Sequence, residues 1–478
     1  MTDSGAPSSS AHQPVRAPRG ASISCKGWQQ EAVLRMLLNS LDPEVAERPQ
    51  SLVICGSAGK AAADWDSFRS IVASLRQLDG DESLVVESGK PAGVFRTHAR
   101  SPRVLVTRGT GSEVYGDWLY AGTQTALPVL HELYAEAARR HFGGTLAGKL
   151  VVGGGMGGAG GAQPLAAALH GAAFLGIDAD AEHIKRRVKS GYCEVMVNSL
   201  DEALRILKNA VRQRKSVSTG LIGNCADVFP ELARRGVVPD LLTDYTPKEA
   251  PFGGYIPADF DPNSAVEAQR ADAASFHQRA QESIAVQLRG ARELEKLGAR
   301  VITEEAGYLR PLLDDGWRLS TWLAFSGEPG DIARMDRLAL EIFSDDERLQ
   351  HWLTMASRQV RFQGLPARVA WLSERELGKF GGAVNDLVAR GEISAPVLLG
   401  CRFPLAQSTW TASFRPGEML GAGLPPVESG ACWVWLGDGT GAANVRQFAA
   451  QCVVADGTAD ASDRIARWLA NSANPKKA

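Results

Sequence analysis

The stretch from Lys149 to Leu165, "KLVVGGGMGGAGGAQPL", places seven glycines in the nine residues from Gly153 to Gly161, directly behind a short apolar run. A strand, then bare backbone, then a helix is the local plan of a phosphate cradle. Tight turns need residues without a Cβ, and the N–H groups at a helix start face an anion. The G-x-G-x-x-G spacing fits twice in overlapping frames: Gly153, Gly155, Gly158, and Gly155, Gly157, Gly160. A flexible glycine linker is the other reading, and the surroundings argue against it. "KLVV" is strand-like, "AQPLAAALHGAA" is helix-like, and Asp178 follows at the end of the strand-like "FLGID". An acid about twenty residues beyond the loop holds the hydroxyls of an adenosine ribose and favours NAD over NADP. A helix N-cap is the alternative for Asp178. Lys185, Arg186 and Arg187 read as a solvated helix face rather than a 2′-phosphate site.

Working outward, strand and helix alternate at the spacing of a doubly wound parallel sheet. "PVLHELYAEAARRHF" precedes the loop. "AEHIKRRVKS", "CEVMV", "LDEALRILKNAVRQRK", "SVSTGLIG" and "CADVFPELARRG" follow it, and "ARVIT" closes the unit. Residues 265–297 read as one or two exposed helices. Before this unit, "GWQQEAVLRMLLNSL" has helical periodicity, "SLVICGSAGKAA" reads as strand, turn and helix start, and "ESLVVESGKPAGVF" and "PRVLVTRGTG" read as two strands. Beyond Tyr308 the pattern is mixed α/β. The expected division is a disordered lead-in over 1–21, a core domain from 22–125 and 306–478, and an inserted dinucleotide domain over 126–305.

The 478 residues are too many for one ordinary core, and a net charge of −2 without a basic, aromatic-laced stripe gives no reason to expect nucleic acid. The seven cysteines form no CxxC pair and the eight histidines no HExxH, so no metal site is expected. No apolar run reaches the ~18 residues of a membrane span. The first twenty residues lack an apolar secretory region, so a cytoplasmic protein is the expectation.

Several longer stretches resemble the urocanase (urocanate hydratase) family: "CKGWQQEAVLRMLLNSLDPEVAERPQSLVICGSAGKAA", "ESGKPAGVFRTH", "WLYAGTQ", "GGAQPLA", "GNCADVFPELARRGVVPDLLTD" and "FQGLPARVAWL". They occur in the family's order over nearly all the chain after Ala21. The resemblance implies a homodimer whose Rossmann-like NAD domain is inserted into a mixed α/β core built from the N- and C-terminal parts. It implies a small imidazolyl-acrylate substrate and NAD⁺ as an electrophile that is regenerated, not a hydride carrier. A dehydrogenase, the ordinary reading of such a domain, is disfavoured by the motifs outside the glycine loop. A non-catalytic NAD-binding protein stays open.

The cofactor positions implied by the resemblance are Gly56, Ser57, Ser112, Gly158, Ala159, Gly160, Asp178, His183, Asn224, Cys225, Tyr245, Thr246, Pro247, Lys248, Glu249, Tyr255, Ile256 and Gly441. Several depart from the family: serine for glycine at Ser57, Ala159 for methionine, Asp178 for glutamate, His183 for arginine, and "YTPKE" over 245–249 for "QTSAH". The substrate side departs further. Tyr308, Arg310 and Pro311 remain, but Asp314 stands where the family has a cysteine. Arg402, Phe403 and Leu405 replace Asp, His and Asp; Gly437 and Asp438 replace two histidines; Cys55 replaces a tyrosine. Those lost groups would hold and protonate the nitrogens of a plain imidazole ring. The expected catalytic set is therefore Tyr308, Arg310, Asp314, Arg402 and Asp438, with Arg310 on the propenoate carboxylate and one aspartate moving the proton. A turn role for Asp314 and Asp438, and an exposed charge for Arg402, are the plainer readings. The changes suit a bulkier, less polar ring, as in thiourocanate or S-methyl-thiourocanate, with plain urocanate as the second choice.

Overall fold

The computed structural model describes residues 13–56, 59–107, 114–248, 254–302, 306–404, 430–437 and 448–472. The N-terminal part supplies α1 (Trp28–Ser40), β1 (Val53–Cys55), β2 (Gly59–Lys60), α2 (Trp65–Gln77), β3 (Glu82–Glu87), β4 (Lys90–Arg96), β5 (Val104–Thr107) and β6 (Val114–Tyr115). The middle supplies α3 (Leu127–His141), β7 (Leu150–Gly154), α4 (Gln163–Leu169), β8 (Ala173–Asp178), α5 (Ala181–Ser190) and β9 (Val195–Val197). It continues through α6 (Leu200–Gln213), β10 (Val217–Ile222), α7 (Cys225–Arg234), β11 (Leu241–Asp244), α8 (Pro262–Ala271), α9 (Ala273–Lys296) and β12 (Arg300–Val301). The last part runs through α10 (Ala306–Asp314), β13 (Trp317–Ala324), α11 (Pro329–Ile342), α12 (Glu347–Gln359), β14 (Ala367–Ser373) and α13 (Glu374–Ala389). It ends with β15 (Val397–Pro404), β16 (Trp433–Gly437), β17 (Phe448–Ala455) and α14 (Ala459–Ser472).

The middle strands form one parallel sheet in the order β12-β11-β7-β8-β10-β9. All six residues of β8 are buried, as expected of a strand covered by helices on both faces. From β7 the chain builds outward on one side through β8 to the edge strand β9, returns to β10 between those two, then crosses to β11 on the other side. The crevice between β7 and β11 is thus the topological switch point, where such sheets bind ligands at their carboxyl ends.

An eight-stranded sheet, β14-β13-β15-β17-β16-β5-β3-β4, holds both ends of the chain. The join is β16 against β5, parallel, from Trp433↔Val104 to Leu436↔Thr107. A Rossmann-like unit inserted into a mixed α/β core is therefore the architecture. The pairs Leu436↔Thr107, Leu436↔Ala449 and Phe403↔Ala449 put the ends of β5, β15 and β16 on one edge of this sheet.

Four local expectations need correction. "SLVICGSAGKAA" does not lead into a helix: Gly59 and Lys60 pair with Cys55 and Val53 on one side and with Val114 and Tyr115 on the other. The helix waits for Trp65, where the Asp64 side chain accepts the Ser67 N–H. "ESLVVESGKPAGVF" is not one strand but the hairpin β3–β4, turning through Ser88 (φ 49°) and Gly89 (φ 73°), the left-handed pair that matches strand twist. The 265–297 segment is two helices, but α9 buries Phe276, Ala280, Ile284, Gln287 and Leu294. The lead-in is held from its second half onward: Val15 and Ala17 pack on the core, Arg16 pairs with Asp42 at 3.0 Å, and Gly20 N–H donates to the Phe325 carbonyl. Charge pairing and apolar burial there offset the chain entropy that its Ser/Pro composition suggested would win.

Candidate functional site

The glycine loop leaves β7 and turns at Gly155 (φ +75°), a left-handed conformation that costs an L side chain energy. Close packing forbids a Cβ at several positions: at Gly160 it would lie 2.2 Å from the Gly155 carbonyl oxygen, at Gly154 2.6 Å from Asp244 Oδ1. Fully buried Gln163, at the start of α4, staples the loop. Its Nε2 donates to the carbonyls of Gly155 (2.9 Å) and Gly160 (3.0 Å), while its Oε1 accepts the Thr243 hydroxyl (2.6 Å).

Asp178 ends β8 beside this loop. Its carboxylate accepts the N–H of Met156 (2.6 Å) and of Asp180 (2.8 Å) and pairs with His183 Nδ1 at 3.1 Å. The N-cap of α5 is Asp180, not Asp178. Burial alone would raise the Asp178 pKa, but the His183 charge and the backbone donors outweigh it and hold it low. Burial opposes the His183 charge too, yet Asp178, Glu47 and Asp180 push its pKa up to about 9. A carboxylate has room for about four acceptor contacts, so Asp178 can still receive a ribose hydroxyl.

Asn224 caps α7 through Ala226 N–H (2.9 Å) and donates to the Ile256 carbonyl (2.7 Å). Cys225 is buried against Gly154. Tyr245 N–H donates to the Gly154 carbonyl at 2.8 Å, bringing the segment after β11 onto the loop. There Asp244 gathers the Thr246 N–H and hydroxyl (3.0 and 2.6 Å), Lys248 Nζ (2.9 Å) and Gln287 Nε2 (2.5 Å), and Gln287 in turn accepts the Tyr255 hydroxyl (3.1 Å). Asp244 and Gln287 escaped the sequence reading. The position of Asp244 at a strand end facing the switch point was the available signal.

The N-terminal part closes the loop from the other side. Gly158 N–H donates to the Glu47 carboxylate, and Cys55 and Tyr120 reach the same glycine. Arg187 is no solvated residue: it is 2% exposed, its Nε donates to the Met156 carbonyl (3.0 Å), and its guanidinium reaches the Thr123 hydroxyl. Arg186 donates to the carbonyls of Ala46 (2.6 Å) and Pro43 (2.8 Å), and Lys185 alone of the three is on the outside, paired with Glu182. Thr123 N–H donates to Gln363 Oε1 (2.7 Å), and Gln363 Nε2 to the Glu44 carbonyl (3.0 Å). All three parts of the chain meet at this point. Next to Thr123, Gln124 is 2% exposed, and both its amide atoms are without a hydrogen-bond partner among the described residues. A buried amide left open costs about 1–3 kcal/mol unless a water or a bound group supplies its partners.

On the core side, Arg402 of β15 grips Asp117 with two bonds, 2.9 and 2.8 Å, and is only 14% exposed in its side chain. The Asp117 charge reaches the Cys55 thiol, which burial first, and then Glu47, push well above its ordinary pKa. Tyr308, Arg310 and Asp314 stand on α10. Tyr308 meets His141 Nε2 at 3.1 Å under the Arg140 guanidinium (4.7 Å). Arg310 and Asp314 face each other at 3.6 Å with side chains 79% and 69% exposed. Asp314 ends the helix, not a turn of its own. Ser57, Ser112, Glu249, Asp438 and Gly441 lie outside the described residues, as do Leu405 and the Phe403 side chain.

A doubly wound sheet with a stapled glycine loop at its switch point defines a Rossmann-like α/β protein, an architecture consistent with dinucleotide binding. Residues 15–123 match the urocanase N-terminal domain, 122–307 the urocanase Rossmann-like domain and 311–475 the urocanase C-terminal domain. The chain belongs to the urocanase family, which supports a urocanate-hydratase-like, hydro-lyase activity.

Proposed function

We propose that the protein is an NAD⁺-dependent hydratase that adds water to a ring-modified urocanate of the thiourocanate or S-methyl-thiourocanate type. The open amide of Gln124 beside the stapled loop is the observation that best supports a resident dinucleotide. Of the loop positions Gly158, Ala159 and Gly160, the Gly158 N–H is taken by Glu47, so Ala159 and Gly160 would meet the pyrophosphate and Asp178 the ribose. When bound, NAD⁺ supplies an electrophilic ring that draws electron density from the substrate's conjugated system. The chain's own groups bind, orient and move protons.

The modified ring is supported by the Arg402–Asp117 pair. Arg402 occupies the position of a family aspartate and donates its fork to Asp117, so one carboxylate is replaced and the remaining one is tied into an ion pair. Exchanging an aspartate for Arg402 removes an acceptor and adds a positive charge that Asp117 neutralises, a change that suits a ring with less need of carboxylate partners. Arg310 and the aspartates Asp314 and Asp438 stay in the proposal as substrate-side groups. With side chains as exposed as theirs, Arg310 and Asp314 would need a second subunit or a moved segment to enclose a substrate, in keeping with the homodimer that the family resemblance implies. A cytoplasmic place in ergothioneine or histidine breakdown completes the reading.

The test follows the acrylate absorbance of urocanate, thiourocanate and S-methyl-thiourocanate with purified protein and no added cofactor. Loss of signal from the sulfur compounds alone is expected. Consumption of plain urocanate at equal rate would remove the modified-ring reading, and silence on all three with NAD⁺ bound would make a non-catalytic NAD protein the better description.

A further inference from the structure

A cavity of about 140 Å³ lies where the held part of the lead-in crosses the end of α1 and the turn at Gly364. That is well above the ~10–15 Å³ that a single water needs, so a small ion has room there. Arg16 and Arg19 line it from the lead-in, Asn39 and Asp42 from α1 and the turn after it. Asn39 is 2% exposed, and its Oδ1 accepts the Leu365 N–H at 2.7 Å, which fixes the orientation of the amide. Its Nδ2 has no hydrogen-bond partner among the described residues. The carbonyls of Leu38 and Asn39 do not compete for that donor, since the N–H groups of Leu41 and Asp42 take them.

The charges around the cavity do not cancel. Asp42, 4% exposed in its side chain, is spent on Arg16 at 3.0 Å and on the Glu44 N–H at 2.9 Å. Arg19 donates only to the Gly364 carbonyl, at 3.3 Å, and has no carboxylate partner among the described residues. Its stem is packed where a Cβ on Gly327 would collide with it, so the guanidinium is held in place. A buried amide donor and an unmatched guanidinium around one open space call for an acceptor with negative charge. The cavity also adjoins the junction described above. The Gly364 N–H donates to Glu44 Oε2 at 3.3 Å, and its neighbour Gln363 holds the Thr123 N–H and the Glu44 carbonyl.

We propose that this cavity is a regulatory site for a small oxyanion, inorganic phosphate or a short carboxylate, held by the Arg19 guanidinium and the Asn39 amide. A bound anion draws Arg19 and Asn39 together across Gly364 and steadies Gln363 against Thr123, beside the Gln124 amide. Filling the site therefore tightens the hold on the cofactor. That coupling rests on the dinucleotide reading above; the binding itself does not.

The experiment uses the full-length protein with its NAD⁺ bound, so that the glycine loop does not take up the anion. Equilibrium dialysis with labelled inorganic phosphate, and in parallel labelled acetate, at constant ionic strength is expected to show one saturable site per chain. The tighter of the two decides between phosphate and carboxylate. Arg19→Met keeps the stem on Gly327, and Asn39→Asp keeps the acceptor for Leu365; each should weaken binding about tenfold or more at unchanged cofactor content. Exchange of bound NAD⁺ for labelled NAD⁺ should slow about threefold or more when the site is filled, and not in Arg19→Met. No saturable binding of either anion overturns the site, and water alone is then its content. Binding that survives both variants overturns its assignment to this cavity, and NAD⁺ exchange indifferent to a filled site overturns the regulatory role. A chain that neither holds nor takes up NAD⁺ overturns the dinucleotide reading and the coupling with it, while the dialysis still decides the site.

Discussion

Gln124 keeps a buried amide with no partner among the described residues, whereas His183 is tied to a charged neighbour. Because the Gln124 amide has no partner to lose, Gln124→Leu should leave the denaturant stability of the cofactor-free chain unchanged or raised, while NAD⁺ affinity by calorimetry falls about tenfold or more. Equal loss of both would mean the amide is structural. His183 behaves differently. Its folded pKa of about 9 exceeds the ordinary 6.5, so its pairing with Asp178 stabilises fully below pH 6.5 and is lost as pH rises through about 9. Asp178, held below 3.8, contributes above that value and loses its share only as pH falls through its lowered pKa. Wild-type stability should therefore fall between pH 6.5 and about 9 more steeply than that of His183→Gln; parallel curves would show the pair contributes nothing. Asp178 was legible in the sequence because strand end and spacing located it. Gln124 was not, because an open amide is a statement about what surrounds a side chain.

Two helical glycines, alike in sequence, have opposite meanings in their elements. In α13, a Cβ on Gly382 would meet nothing within 4 Å, so Gly382→Ala should raise stability by roughly 0.5–1 kcal/mol through helix propensity. In α9, a Cβ on Gly290 would lie 2.7 Å from Pro230 Cδ and 2.8 Å from its nitrogen on α7, so Gly290→Ala should lower stability by roughly 1–3 kcal/mol. Chemical denaturation of the two variants side by side reads the difference in sign. Long periodic elements such as α1, α3 and α6 were legible from the spacing of their apolar residues. The two-residue strands β2 and β6 and the buried face of α9 were not, since the pairing of Lys60 with Tyr115 and the packing on Pro230 join residues remote in sequence.

At the scale of the molecule, Arg187 ties the glycine loop to Thr123, and Gln363 ties Thr123 to Glu44, so one fully buried guanidinium bears on three parts of the chain. Arg187→Met should cost about 2–3 kcal/mol, for hydrogen bonds made by a charged donor, and should broaden the unfolding transition as the inserted unit uncouples from the core. A single sharp transition at unchanged midpoint would contradict that coupling. The sequence by itself determined the alternation of strand and helix, the glycine loop and the acid that follows it, because these are local patterns of hydrophobic period and backbone freedom. Only the tertiary structure decided which partners those groups meet: that Arg187 faces inward, that Arg402 is spent on Asp117, and that Glu47, Cys55 and Tyr120 arrive together at Gly158. Those contacts span from 31 to 285 positions of the chain, and no local period encodes a meeting that is made by packing one sheet against another.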